Sequence, residues 1–299
     1  RTISSAASDV YKRQGKKMEG VVPTYQNFCG LSSLQAFDQY GLMYWMDVRK
    51  GSTFTANSCG SVIQHIFKGL PRQYKRMIRA DSGYCCQEFF HACRNYDVDF
   101  VVAMRANMSE PIRHTVRTWK EAKDVIFRDG RTCQIGSTVY RPSGFREELR
   151  VIFIRAPRKE QTLFEEDRYD YYAFVTTFGR HHSWSDEEIL LFYQKRGNAE
   201  RYIREVKNGL DLHHFPCQKL LANDAYGCLA AMAHNLLRLG ASIFNAKKLH
   251  FSKKIRFRMV FIAGQVVKKA RGIIIRVNPG HRSEVDRWLD LLKLKLVPS

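Results

Sequence analysis

The sequence predicts an α/β fold: a mixed sheet flanked by helices, with a β-rich insertion over residues 107–170, between Asp81 and Glu200. Three observations predict it. Strand-like and helical runs alternate between residues 31 and 106, a block dominated by strand-like runs and charged turns follows over 107–170, and a long capped helix begins near 186. The 299 residues, 44% of them hydrophobic, can bury one large core or two modest ones.

Residues 1–14, RTISSAASDVYKRQ, have no periodicity: small polar residues run into a basic end. They resemble a translated adapter or vector sequence joined to a truncated coding region, and are set aside from the fold. LSSLQAFD and LMYWMDVRKG, separated by Gln39-Tyr40-Gly41, predict a hairpin rich in aromatic and branched residues. SCGSVIQHIFKGL has helical spacing, with Val62, Ile66 and Leu70 on one side and Pro71 closing it. YKRMIRADSG reads as a strand ending on Asp81, with Ser82-Gly83 forming the turn. QEFFHACRNYD reads as a helix and DFVVAMRA as a buried strand. RTCQIGSTVY and LRVIFIRAP give the insertion its β character, and YAFVTTF returns to the main sheet. In HHFPCQKLLANDAYGCLAAMAHNLLRLGASIF, core spacing falls on Ala225, Leu229, Met232 and Leu236, while His234 and Asn235 read as satisfied groups rather than ligands. The predicted division is a leader at 1–14, a first core segment at 15–106, the insertion at 107–170, a second core segment at 171–245 and a basic C-terminal region at 246–299.

Lysine and arginine number 49 against 29 acids, a net charge of +20. A field of this sign and size draws polyanions. No run approaches the roughly 18 apolar residues of a membrane span and no signal-peptide pattern opens the chain, so the predicted partner is nucleic acid in a cytoplasm, with no membrane. The basic residues concentrate late: ten occur between Lys247 and Arg276, with no acid from Asp224 to Glu284. Lys253, Lys254, Arg256 and Arg258 lie in this window, whose alternation in IRFRMVF and GIIIRV suggests strands or short amphipathic helices with a phosphate-neutralising face. The eight cysteines form no C-x-x-C pair, and Cys85, Cys86, His91 and Cys93, though crowded, read as small buried groups rather than a metal site.

The most informative stretch is SWSDEEILLFYQKRGNAERYIREVKNGL, residues 183–210. Ser185 and Glu188 form a capping box and Trp184 can staple onto Ile189, so a helix starts at Asp186; Lys207 and Asn208-Gly209 mark its end, roughly six turns later. At about 100° per residue, Phe192, Ala199, Ile203, Val206 and Leu210 form the buried stripe. Tyr193, Arg196, Glu200 and Lys207 form a polar stripe beside it. Taken alone, that stripe reads as a solvated face with one i,i+4 pair.

The offsets of Tyr193, Arg196, Glu200 and Lys207 match without a gap the Y-R-E-K signature of a large group of bacterial insertion-sequence transposases of the DDE type. The resemblance runs from Gly15 to about residue 245, and it implies a ribonuclease-H-like fold, whose hairpin, helix, strand, helix, strand order the chain follows. It implies that Glu200 is the third metal-binding carboxylate and that Tyr193, Arg196 and Lys207 hold transposon-end DNA beside it. The family's second catalytic Asp has the R-A-D-S-G context of Asp81, a residue that by itself reads as an Asx-turn at a strand end. Two carboxylates thus become catalytic metal ligands for Mg²⁺ or Mn²⁺, in chemistry where two ions about 3.5 to 4 Å apart serve the attacking and leaving oxygens.

The third carboxylate belongs on the first strand, ahead of the hairpin. Asp38 and Asp47 lie in the hairpin itself, and Asp9 lies in the leader. The expectation is therefore an N-terminally truncated, catalytically incomplete copy. The intact parent would cut at terminal inverted repeats of double-stranded DNA and join the 3′ ends to target DNA, as a homodimer associated with the nucleoid. A non-catalytic DNA-binding remnant and another ribonuclease-H-like nuclease are the competing readings.

Overall fold

The computed structural model describes residues 2–12, 18–24, 28–71, 73–158, 168–178, 184–244, 261, 264–270, 272–283, 286 and 290. The chain divides into two compact units, residues 1–236 and 237–299. In chain order the strands of the first unit are β1 Thr2–Lys12, β2 Val22–Pro23, β3 Cys29–Asp38, β4 Met43–Lys50, β5 Met77–Ala80, β6 Asp99–Ala103, β7 Lys120–Ile126, β8 Thr132–Tyr140, β9 Leu149–Pro157 and β10 Tyr169–Thr176. Its helices are α1 Cys59–Lys68, α2 Gln87–Asn95, α3 Ala106–Arg113, α4 Asp186–Gln194 and α5 Gly197–Gly209, followed by α6, Leu220–Phe244.

All ten strands join one mixed sheet, in the order β2-β3-β1-β5-β6-β10-β9-β8-β7 with β4 also on β3. The β3/β4 hairpin closes where its turn chemistry predicts, Asp38 Oδ1 accepting from the N–H groups of Tyr40 and Leu42. β1 runs antiparallel to β3 and parallel to β5, and β5 runs parallel to β6. This is the helix-flanked α/β sheet the alternation predicts, and its order is compatible with a ribonuclease-H-like fold.

Two features of the sheet depart from the sequence expectation. Thr2–Lys12, set aside as leader, forms a strand between β3 and β5. Pairing there is through backbone groups: two facing strand rows offer donors and acceptors that any extended, proline-free segment satisfies, whatever its side-chain pattern. The β-rich block over 107–170 has its strands where expected, but β7, β8 and β9 continue the main sheet through β10 rather than closing a sheet of their own.

Both faces of the sheet are covered. All five residues of β6 are buried: Phe100 and Val102 pack with Phe67 and Phe89 of α1 and α2, Val101 and Ala103 with Ile189 and Phe192 of α4. That two-sided burial is why DFVVA reads as a continuous apolar run. A third cluster joins Phe37 and Val48 to Ala199 and Val206 of α5 and Ala230 of α6.

The exposed edges of the sheet are sealed by side chains. On the outer edge of β4, Asn235 brackets Met43, accepting from its N–H at 2.7 Å and donating to its carbonyl at 2.8 Å, and Asp224 accepts from Val48 N–H at 2.8 Å. His234 Nε2 donates to Gly41 O at 2.8 Å, so His234 joins Asn235 in holding α6 against the hairpin. Gly227 lets the helix in, since a Cβ there would lie 2.9 Å from Val48 Cγ2. This docking overturns one prediction: Leu229, Met232 and Leu236, assigned to the core, are 62–69% exposed, and Ala225 is exposed with them. α6 buries the face carrying Asn223, Ala230 and His234 because an edge strand needs polar partners for its free N–H and C=O groups. At the opposite edge, Glu187 of α4 accepts from Lys123 and Asp124 N–H, both at 2.7 Å.

In the second unit β11 (Gly264–Lys269) and β12 (Gly272–Val277) form an antiparallel hairpin, so GIIIRV is a strand. Lys253, Lys254, Arg256 and Arg258 lie outside the described residues.

Candidate active site

The capping box forms as read: Ser185 Oγ accepts from Glu188 N–H and the Glu188 carboxylate accepts from Ser185 N–H, starting α4 at Asp186. Trp184 stacks on Phe178 at 4.9 Å and meets Phe192 edge-on. Of the predicted buried stripe, Phe192, Ala199, Ile203 and Val206 are buried and Leu210 is half-buried against the same core. The single six-turn helix is not what forms, however. It breaks at Lys195–Arg196 into α4 and α5.

The cause of the break is Arg79, a residue the sequence did not single out. Arg79 is 4% exposed on β5, and its Nη1 donates to Phe192 O at 2.8 Å while its guanidinium lies 5.0 Å from the Phe192 ring centroid. In an unbroken helix Phe192 O would receive the N–H of Arg196. That N–H instead tightens onto Tyr193 O at 2.7 Å, and Ala199 N–H bonds to Arg196 O at 2.8 Å. Burial holds the Arg79 pKa down to about 10, within the range where it stays a cation at neutral pH. The signal was in the sequence: an arginine two residues before Asp81 on a buried strand must find an acceptor.

Asp81 follows β5 directly, at its C-terminal end, where catalytic groups of such sheets gather. Its Oδ1 accepts from Gly83 N–H at 2.8 Å, the Asx-turn that the spacing predicts. Gly83 is required sterically: a Cβ would lie 2.8 Å from Thr55 Cγ2 and 3.0 Å from Asp81 Oδ1. Burial raises the Asp81 pKa above 3.8 and the charge of Glu200 adds to that. The Gly83 N–H, Arg196 and Arg105 pull it back without cancelling the rise.

The break in the helix presents Arg196 and Glu200 to this carboxylate. Arg196 is 18% exposed and Glu200 59%, and Arg196 Nη2 donates to Glu200 Oε1 at 2.9 Å, the predicted i,i+4 pair. Burial works against the Arg196 charge, but Tyr193, Glu200 and Asp81 together outweigh it and raise its pKa. Arg196 Nε is buried with no hydrogen-bond acceptor among the described residues. Tyr193 packs its ring 4.6 Å from Phe174 with the Arg196 guanidinium 5.8 Å from its centroid. Burial raises its pKa, so it is a neutral hydroxyl. Lys207 lies in the last turn of α5, half-buried, two turns beyond Glu200.

Arg105, which caps α3 just past β6, is a second residue missed at the level of sequence. It acts electrostatically on Asp81 and lies 5.3 Å from the centroid of the exposed ring of Phe54. Arg196 thus contacts Tyr193 and Glu200, and Asp81 lies within electrostatic reach of Arg196, Arg105 and Glu200. Among the described residues no third carboxylate, thiol or imidazole joins Asp81 and Glu200 in a ligand cluster. On β1 the parallel register with β5 pairs Ser4 with Arg79. On the other side of β1, Asp9 stands past an irregularity, opposite Ser33 of β3.

Two oxygen donors fit a hard divalent cation. A family model described as transposase DDE domain group 1 matches residues 5–291. No match is found among curated proteins.

Proposed function

The chain belongs to the DDE transposase family, and from that premise we propose that it is a cut-and-paste insertion-sequence transposase built on a ribonuclease-H-like core, with Asp81 and Glu200 as its metal-holding carboxylates. Family membership carries DNA binding, strand cleavage and the use of divalent metal ions. No helix among the described residues is long and apolar enough to cross a membrane. The observation that carries the site assignment is Arg196: one guanidinium, bonded to Glu200 at 2.9 Å and felt electrostatically at Asp81, ties together two carboxylates separated by 118 residues of chain.

In this reading Asp81 and Glu200 would hold Mg²⁺ or Mn²⁺, which when bound supplies charge for the attacking and leaving oxygens of phosphodiester cleavage and strand transfer. Arg196 turns from Glu200 toward the DNA backbone, its unspent Nε–H finding a phosphate oxygen. Tyr193 donates its hydroxyl proton in a hydrogen bond to the same strand, and Lys207 neutralises a phosphate further along. Lys253, Lys254, Arg256 and Arg258 extend that contact along terminal inverted repeats, in a homodimer that bridges both ends. In this reading Asp81 and Glu200 are two of the three carboxylates such a cage takes, and the chain cuts DNA weakly.

The test incubates the full chain with DNA from the flanks of its own gene and Mg²⁺ or Mn²⁺. Any cleavage should be abolished by Glu200→Gln; a variant that cut as fast as the parent would overturn the assignment. Loss of cleavage in Asp9→Asn would show that the cage is complete after all. Equal DNA binding in EDTA with no cleavage in any arm would favour a non-catalytic DNA-binding protein.

A further inference from the structure

Immediately after α5 the chain turns sharply. Asp211 takes a left-handed conformation, φ +58°, which Asp tolerates better than most residues, and His214 N–H donates to Asp211 O at 3.0 Å. Leu212, fully buried, anchors the turn in the core. The backbone thereby fixes three side chains that nothing in the DNA-processing site uses. His214 Nδ1 lies 3.0 Å and His213 Nε2 3.4 Å from Asp211 Oδ1, and one ligand atom from each of the three residues falls within 4.8 Å of the others.

Three features fit this arrangement to a cation. First, a tetrahedral site with bonds of about 2.0–2.1 Å has ligand-to-ligand edges of roughly 3.3 Å, and the two separations, 3.0 and 3.4 Å, lie near that length, the His214 Nδ1–Asp211 Oδ1 hydrogen bond giving up its proton as an ion enters. Second, His213 Nδ1 is 2.8 Å from Lys207 O. A carbonyl only accepts, so Nδ1 carries the proton and Nε2 points its lone pair at the cluster, the outer hydrogen bond that orients metal-binding imidazoles. Third, His213 and His214 are 42% and 71% exposed, leaving room for an ion and a fourth, solvent ligand.

We propose that Asp211, His213 and His214 form a binding site for a zinc-class divalent cation, separate from the Asp81 and Glu200 site. Two imidazoles and one carboxylate suit a borderline cation such as Zn²⁺ over Mg²⁺, which takes oxygen ligands and keeps its waters. The ion clamps the end of α5, the helix that carries Glu200 and Lys207, because His213 is bonded to the Lys207 carbonyl. The site stands whether or not the chain processes DNA as proposed above.

The experiment titrates tag-free full-length chain, metal-free, with Zn²⁺ by calorimetry and with Co²⁺ by visible absorption. It uses both the parent and an Asp81→Asn/Glu200→Gln form whose other carboxylates are silenced. One equivalent of Zn²⁺ should bind to both forms, with a tetrahedral Co²⁺ spectrum and no displacement by excess Mg²⁺. His213→Ala and His214→Ala should each weaken binding by about 10-fold or more, in line with the loss of a metal-site group. Asp211→Gly removes a ligand while relieving the left-handed backbone, so it should lose the metal while its metal-free melting temperature holds or rises. No saturable binding, or affinities within twofold across the three variants, would overturn the site. A cleavage assay in which Glu200→Gln stays active would instead overturn the DNA-site assignment and leave this one standing.

Discussion

Replacing Asp81 by Asn removes one charge and keeps nearly everything else. The amide Oδ1 can still accept from Gly83 N–H, now at 2.8 Å, and the side-chain shape is unchanged. The folded-state pKa of Asp81 lies above its ordinary 3.8, chiefly because burial penalises the anion, with Glu200 adding to the penalty. A raised value means that the fold favours the protonated form. That contribution to stability is fully present below 3.8 and is lost as pH rises through the folded value. In EDTA at neutral pH Asp81→Asn should therefore melt above the parent, the gap closing as pH falls toward 4. Divalent metal should reverse the order. At a hundredfold excess over its Kd, an ion bound by the native state alone contributes about 2.7 kcal/mol. At roughly 2–4 °C per kcal/mol for a unit of this size, the parent gains about 5–10 °C and the variant little. Thermal melts with and without Mg²⁺ or Mn²⁺, at pH 7 and pH 5, decide the matter. A variant less stable than the parent in EDTA at pH 7, or equal metal shifts in both proteins, would refute the reasoning.

Arg79→Met trades a charged hydrogen bond worth about 1.5–3 kcal/mol against the cost of burying a guanidinium, so urea unfolding should shift by less than about 2 kcal/mol. Because Phe192 O then regains the Arg196 N–H, α4 and α5 straighten and the metal-dependent rise in melting temperature should fall with them; an unchanged metal response would refute the role given to Arg79. Asn235→Ala strips both hydrogen bonds from Met43 and should cost about 1–3 kcal/mol in urea unfolding. Arg196→Gln should weaken DNA binding at low salt and reduce the slope of log affinity against log salt by about one, measured by fluorescence anisotropy.

Local chemistry made much of this protein legible. The hairpin turn at Asp38, the capping box at Ser185 and the Asx-turn at Asp81 each depend on residues within four positions of one another, and each forms as read. The Arg196–Glu200 pair belongs with them, since four residues on a helix fix its geometry. What failed involved partners remote in sequence. α6 has an apolar stripe at Leu229, Met232 and Leu236, and helical periodicity assigns it inward. The outcome was decided by the free edge of β4, 176 to 192 residues away, whose backbone groups required Asp224 and Asn235 against them.

The break in the signature helix has the same origin. Offsets alone place Tyr193, Arg196, Glu200 and Lys207 on one stripe, and the family follows from that spacing. Arg79, 113 residues upstream, takes the Phe192 carbonyl and bends the helix so that Arg196 meets both Glu200 and the field of Asp81. The sequence by itself determined the signature residues and their spacing, the basic field, and the local turns and caps that hold them. Only the tertiary structure decided how they converge, because a buried cation and an unpaired strand edge take their acceptors and donors from wherever the fold brings them.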